Sequence, residues 1–245
     1  AEMMNEKAAQ IGVTDTHFVT PSGLDADDHY STAYDMALLA SYAMDNPVFA
    51  EIAATTVHPI TCGDPAQTVY FSNHNRLLKT YEGAKGIKTG FTKKSGRCLV
   101  SYAERNGVKL IAVTLKAPDD WNDHETLFDY GFNILKPHEI KTELPITSIS
   151  VAGGTPDNIS IEAQPATLAL LDGDEGKITS SVYLPKFVYA PVTQGDTIGR
   201  VDYYLDGRLT GSAPIVASQD SAGEPASEKS IIEKMIYWFY MLLCW

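Results

Sequence analysis

The sequence predicts an α+β chain, with helices and an antiparallel sheet in a first domain and a small all-β domain after it. Three observations carry this. Apolar residues recur at helical spacing over 1–56, and between 57 and 116 the period changes to two. After Lys136-Pro137, short alternations punctuated by Gly and Pro continue to 217. The length of 245 residues, 44% hydrophobic and 20% charged, allows a sizeable core in one large domain or two ordinary ones.

Residues 2–11 place Met3, Met4, Ala8 and Ile11 on one helical face, and Gly12 suits a stop. "VTPSGLD" is a turn. A second helix follows, with Thr32 as N-cap, Asp35 three residues on and Met36, Leu39, Ala40 and Ala43 inward; Asn46-Pro47 ends it. "NPVFAEIAA" reads as a further short helix. "TVYFSN", "GAKGIKTGFT", "GRCLVSYAER" and "GVKLIAVTLK" read as strands, the last two joined at Arg105-Asn106-Gly107. "APDDWNDHETLFDYGFNIL" is a helix with Leu127, Phe128, Phe132 and Leu135 inward. Its acids Asp119, Asp120 and Asp123, with His124, invite a metal reading, but acids are favoured at a helix N-terminus by the dipole and by capping. No metal or cofactor is expected.

The all-β segment, 138–217, contains "NISIEA", "TLALL", "SSVYLP" and "RVDYYLDGRL", with Val201, Tyr203 and Leu205 sharing a face and Asp206-Gly207 as a turn. Residues 218–229 read as a polar linker. Residues 230–245 read as an apolar helix opened by a Ser230–Glu233 capping box. Its final eleven residues, "MIYWFYMLLCW", are too few to cross a bilayer, which needs about 20. The linker favours a membrane-associating helix over one packed on the β domain. Cys62, Cys98 and Cys244 form no metal spacing and leave one thiol over.

The net charge of −12 argues against a nucleic-acid or anionic-lipid binder, since neutralising phosphates needs clustered Lys and Arg. Within that acidic chain, residues 76–97 hold seven bases (Arg76, Lys79, Lys85, Lys88, Lys93, Lys94, Arg97) against one acid, Glu82. This is either a local anion site, for which a small carboxylate is the simplest ligand, or a solvated basic face. Inside it lies "KGIKTGFT". A strand edge binds an extended peptide through main-chain hydrogen bonds. Lys88 adds a positive field, the Thr89 hydroxyl can bond a carboxylate, and Gly90 keeps a Cβ out of the ligand's way. The alternative is a strand that merely contains these residues.

Over about 1–137 the chain resembles the serine D-alanyl-D-alanine carboxypeptidases, the low-molecular-mass penicillin-binding proteins. The resemblance is carried by "MNEKAAQIGVTDTHFVTPSGLD", "HYSTAYDMALLASYA", "NHNRLLKTYEGAKGIKTGFTKKSGRCLVSYAERNGVKLIAVTLKAPDD" and "DYGFN". It implies a β-lactamase/transpeptidase-like first domain, and 138–217 looks like the family's C-terminal domain. It also implies acyl transfer: a serine attacks the penultimate D-Ala carbonyl of a muropeptide stem, D-Ala leaves and water hydrolyses the acyl-enzyme. Of the signature set Ser-x-x-Lys, Ser-x-Asn and Lys-Thr-Gly, only the third is present, as Lys88, Thr89 and Gly90. The main-chain N–H of Phe91 would serve as an oxyanion donor, and Thr92 would continue the edge.

No serine has a lysine three residues on, and Ser22 and Ser31 have no base at useful spacing. His17, His29, His58 and His74 are scattered, against a triad. The nucleophile and its lysine are therefore expected upstream of Ala1, and residues 1–137 to be the later part of the catalytic domain. The resemblance further implies a stem peptide ending in D-Ala-D-Ala as partner, β-lactams as inhibitors, and a place on the outer face of the bacterial cell membrane. Two other readings stand beside it: a tethered module that grips peptidoglycan stems without turning them over, and a β-lactamase. The 138–217 domain and the terminal apolar run weigh against the second.

Overall fold

Helix α1 (Glu2–Gln10) opens the computed structural model, which describes residues 1–223. It ends in a Schellman arrangement. Gly12 is at φ +83°, Gly12 N–H donates to Ala9 O, and Val13 N–H returns to Ala8 O at 2.9 Å. Ala8 and Val13 are both buried, as that motif requires, but Met3 is 81% exposed and does not share the expected inner face.

Helix α2 (Ala33–Met44) starts where Thr32 Oγ1 accepts the Asp35 N–H at 3.1 Å. The buried Asp35 carboxylate accepts from Asp15 N–H at 2.8 Å and Thr16 Oγ1 at 2.7 Å, holding the preceding segment against the helix start. Of the predicted inner face only Ala40 is buried. In α3 (Pro47–Ala54), Asn46 Oδ1 accepts from Val48 and Phe49, and Pro47 occupies the first turn, where no N–H is needed.

An antiparallel ribbon follows, β1 (Val57–Cys62) with β2 (Gln67–Ser72), every residue of it exposed. The short helix α4 (Leu77–Thr80) then leads into β3 (Ala84–Thr92), β4 (Gly96–Arg105) and β5 (Val108–Thr114), a sheet of order β3-β4-β5. Asn106 (φ 51°) and Gly107 (φ 82°) make the tight turn between β4 and β5. Helix α5 (Asp120–Ile134) packs on β4 and β5, while α2 and α3 pack on the sheet's other face. Leu77, Leu99, Ala103, Ala112 and Phe128 close the α5 side, each large side chain contributing about 1.5–3 kcal/mol by burial. The Arg105 guanidinium lies 4.4 Å from the Tyr81 ring centre and 4.8 Å from that of Phe132, fixing the turn after β4.

Further strands are β6 (Lys136–Ile140), β7 (Ser148–Ala152), β8 (Gly154–Thr155), β9 (Asn158–Ala163) and β10 (Ala166–Leu170). Then come β11 (Ile178–Tyr183), β12 (Phe187–Tyr189), β13 (Thr197–Leu205), β14 (Arg208–Ala217) and β15 (Ala222–Gly223). Six of them form one sheet, β11-β13-β14-β9-β7-β12, antiparallel except for β12 on β7. Alternation buries Ile149, Val151, Ile159, Ile161, Val201 and Tyr203, and Asp206-Gly207 turns β13 into β14.

Two units result. The first is Ala1–His138 with Thr167–Glu175, the second Glu139–Ala166 with the described residues from Gly176 onward. The contiguous 138–217 segment is thus corrected: β10 pairs with β6, carrying 167–175 into the first unit. The linker starting at 218 is also corrected. Ser221 is buried, donates its hydroxyl to Pro156 O at 2.6 Å and bridges Val192, and β15 pairs with β8. The rest of that linker and the apolar helix at 230–245 lie outside the described residues. Among the described residues no helix is long and apolar enough to cross a membrane.

Candidate functional site

Strand β3 runs close under α3. Gly86, at φ +123°, is buried, and a Cβ there would meet Ala53 at 3.0 Å, so this approach needs glycine. The register with β4 pairs Lys88 with Val100, Thr89 with Leu99, Gly90 with Cys98, Phe91 with Arg97 and Thr92 with Gly96. Alternation puts Lys88 and Gly90 on the α2/α3 side, where they line a cavity of ≈ 490 Å³ with Met36, Leu39, Ala43 and Phe49. A second space of ≈ 400 Å³, walled by Ile52, Ser72, Asn73 and His74, shares Phe49, Ile87, Lys88 and Thr89 with the first. Half-buried Met36, Leu39 and Ala43 therefore line a cavity instead of filling a core.

The other edge of β3 has no strand partner among the described residues. Lys88 is exposed, and its ammonium donates to Thr89 O at 2.6 Å. Phe91 is 70% exposed. Thr92 Oγ1 donates to Asp25 Oδ1 at 2.8 Å, Ser95 Oγ donates to the same oxygen at 3.1 Å, and Ser95 N–H donates to Thr92 Oγ1. Asp25 thus ties the far end of β3 to a loop 67 residues earlier. In the sequence that loop reads as a turn, and the one sign of the tie is an aspartate in a short polar stretch.

The basic run does not converge on one point. Lys85 pairs with Glu104 at 2.9 Å, which holds that carboxyl below its ordinary pKa chiefly through the Lys85 hydrogen bond. Arg97 places Nε and Nη2 on Oδ1 of the buried Asp120, at 3.0 and 2.8 Å, and lies over Trp121, as does Arg76. Lys94 is 4.0 Å from Asp27. Lys88 is left facing the cavity. The acids that open α5 are used individually: Asp119 by the Asn122 side chain, Asp120 by Arg97. His124 Nε2 is 3.0 Å from Thr114 Oγ1. Ser31 Oγ is bound to Thr16 Oγ1 and the Thr32 carbonyl, His17 Nδ1 is 2.8 Å from Asp28 O, and His29 Nδ1 accepts from Val19 N–H.

Residues 1–119 match the family model for D-alanyl-D-alanine carboxypeptidase, and residues 135–222 match that for the penicillin-binding protein 5 C-terminal domain. Over these residues the chain is similar to the D-alanyl-D-alanine carboxypeptidase family. Among curated members of this family, the carboxypeptidase DacF of Bacillus subtilis is 27% identical over 223 residues, 89% of this chain and 57% of its own length. DacB2 of Mycobacterium tuberculosis is 39% identical over 137 residues, 53% of this chain and 46% of its own. The chain thus spans about half the length of the curated relatives it matches. Penicillin-binding protein 5 of Haemophilus influenzae superposes with a TM-score of 0.55 at 27% identity, covering 90% of this chain and 65% of that one. A point mutant of the Streptomyces K15 DD-transpeptidase does so at 0.51 and 31%, covering 54% of each.

Proposed function

We propose that the whole protein is a peptidoglycan D-alanyl-D-alanine carboxypeptidase, and that residues 84–92 grip the end of the stem peptide. One observation carries this reading. In a family-matched region, Lys88 and Gly90 stand over a cavity on a strand edge that has no strand partner among the described residues, while Lys85 and Arg97 are paired with Glu104 and Asp120. Gly90 supports it, since a Cβ there would meet only Cys98 at 3.8 and 3.9 Å. The fold does not demand a glycine at that point; an approaching ligand does.

In the reaction, a serine Oγ bonds to the penultimate D-Ala carbonyl carbon. The amide bond breaks, and the terminal D-Ala leaves with a proton on its nitrogen. Water then cleaves the ester and restores the hydroxyl. Lys88 and the half-exposed Thr89 hold the C-terminal carboxylate, Phe91 N–H stabilises the oxyanion, and Thr92 extends the edge. The activated serine and its lysine are assigned to sequence preceding Ala1. β-Lactams enter the same edge as substrate mimics. The substrate places the protein outside the cytoplasmic membrane, and the apolar run at 235–245 supports attachment to it.

Lys88→Ala and Thr89→Val in the whole protein should each lower D-Ala release from a stem pentapeptide by about 30- to 1,000-fold, equivalent to about 2–4 kcal/mol. The fold should be unchanged by circular dichroism. Activity of both variants within twofold of the parent would reject the assignment. Tight binding of the pentapeptide by the parent, with neither D-Ala release nor labelling by a fluorescent penicillin, would favour a stem-binding module.

A further inference from the structure

We propose that Asn75, Ser101 and His124 enclose one ordered internal water behind the Lys-Thr-Gly strand. Each of these residues is buried, and each has one polar atom without a partner among the described residues: Asn75 Nδ2, Ser101 Oγ and His124 Nδ1. Buried polar atoms are nearly always hydrogen-bonded, to protein or to internal water.

Ser101 and His124 lie on one side of the sheet, and Asn75 is buried next to the same core cluster. On β4, Ser101 lies opposite Ala112 of β5, and Leu99 lies opposite Thr114. Alternate residues share a face, so Ser101 and Thr114 are diagonal neighbours on the side closed by α5. The contact between His124 Nε2 and Thr114 Oγ1 brings the imidazole over that diagonal. Along α5, His124 lies between Trp121 and Phe128, its ring 6.2 Å from that of Phe128. Arg76 covers Trp121, and Leu77 packs with Phe128. Asn75 is tied to that cluster through Leu77, whose N–H its Oδ1 accepts and which packs with Leu99 and Phe128.

The chemistry of the three atoms selects the occupant. Asn75 Oδ1 accepts the Leu77 N–H at 3.1 Å, which fixes the amide orientation and leaves Nδ2 as a true donor. A donor excludes a bare cation. None of the three carries a positive charge to hold a buried anion, and Arg97, the nearby guanidinium, is committed to Asp120. A neutral molecule that both accepts and donates fits. Water accepts from Asn75 Nδ2–H, donates to His124 Nδ1 and exchanges a hydrogen bond with Ser101 Oγ. His124 is then neutral, with its proton on Nε2 and donated to Thr114. The groups shown beside it are Asp120 one turn earlier on α5, Thr114 from β5 and the Phe128 ring. Burial outweighs the pull of Asp120 and pushes the imidazole pKa down to about 4, in keeping with a neutral acceptor. Ser101 is also the register partner of Ile87, the residue before Lys88, so α5 and the substrate strand share one polar anchor.

A crystal structure of the full chain at atomic resolution should show one water within about 2.7–3.2 Å of all three atoms. In solution, a long-range ¹H–¹⁵N spectrum should give the Nε2–H tautomer of His124 between about pH 5 and 8. Magnetisation should pass from water to the Asn75 side-chain amide, and Ser101→Val, which fills the space, should abolish that transfer. Absent density, a direct Ser101–His124 hydrogen bond or a proton on His124 Nδ1 would each overturn the proposal. If Ser101→Val does not fold, the parent's density and tautomer decide alone.

Discussion

His124 enters the chain as one of six histidines and ends fully buried, with its pKa pushed down to about 4 chiefly by burial. In the unfolded chain it titrates near 6.5, so as pH falls the unfolded state takes up the proton first. Its contribution to stability is complete above about pH 6.5 and is lost progressively down to about pH 4. Urea unfolding at pH 7 and pH 5 should show the parent losing up to about 1.4 kcal/mol per pH unit from this group, a slope that His124→Gln should flatten. Equal slopes would mean the imidazole is not buried as described. Residue-scale legibility was uneven for a physical reason. Lys88, Thr89 and Gly90 advertise themselves by type and by the charges around them, whereas the roles of Asp25, Asp120 and His124 depend on partners far apart in sequence. Asp120 stands in the first turn of α5, as its sequence position indicates, and is also the buried anchor of Arg97, which that position does not announce.

Among the elements, β5 has a paired edge on β4 and, among the described residues, no strand on its other edge. Its outward backbone groups lack ladder partners, and the strand is apolar between Lys109 and Lys116. Hydrogen exchange of the 245-residue chain should find the outward amides of β5 exchanging at least tenfold faster than those of β4. Protection equal to that of β4 in a monodisperse monomer would show that something else covers the edge. Strands β2 to β5 were legible because alternation and the Asn-Gly turn are local signals. β1 was not, since Pro59 interrupts its pattern and Gly63-Asp64-Pro65 closes it. The helix starts at Thr32 and Asn46 were legible because a cap acts within three residues.

For the molecule as a whole, composition marked two domains and left their borders displaced. The pairing of β10 with β6 joins residues some 30 positions apart, and no local pattern announces it. Likewise Ser218–Gly223 looks like linker because it is small and polar. Yet Ser218 N–H reaches Ser160 O, Asp220 Oδ1 accepts from Gln194 N–H, and Ser221 is buried. A chain ending at Gly223 should therefore keep the thermal stability of the β unit but, lacking the apolar run, no longer pellet with lipid vesicles. A chain ending at Ala217 should melt at least about 5 °C lower, as expected for the loss of 1 kcal/mol or more from a small domain. Identical melting of the two truncations would restore the linker reading, and continued pelleting at Gly223 would remove the case for membrane attachment.

The Asp25 tie bears on the order in which the chain assembles. Hairpins β3–β4 and β4–β5 join near neighbours in sequence, whereas the bonds from Thr92 and Ser95 to Asp25 close loops of 67 and 70 residues. Loop closure of that length costs entropy before any contact repays it, so local hairpins are favoured early and this clasp late. A contact made after the transition state governs escape from the native state and leaves entry untouched. Stopped-flow measurements on Asp25→Ala should thus show unfolding about three- to tenfold faster with a refolding rate unchanged within twofold. A slowed refolding limb would instead place the clasp in the nucleus. Late closure makes the grip at the end of the Lys88 strand the part of the protein that opens soonest under denaturing stress, well before the sheet behind it gives way.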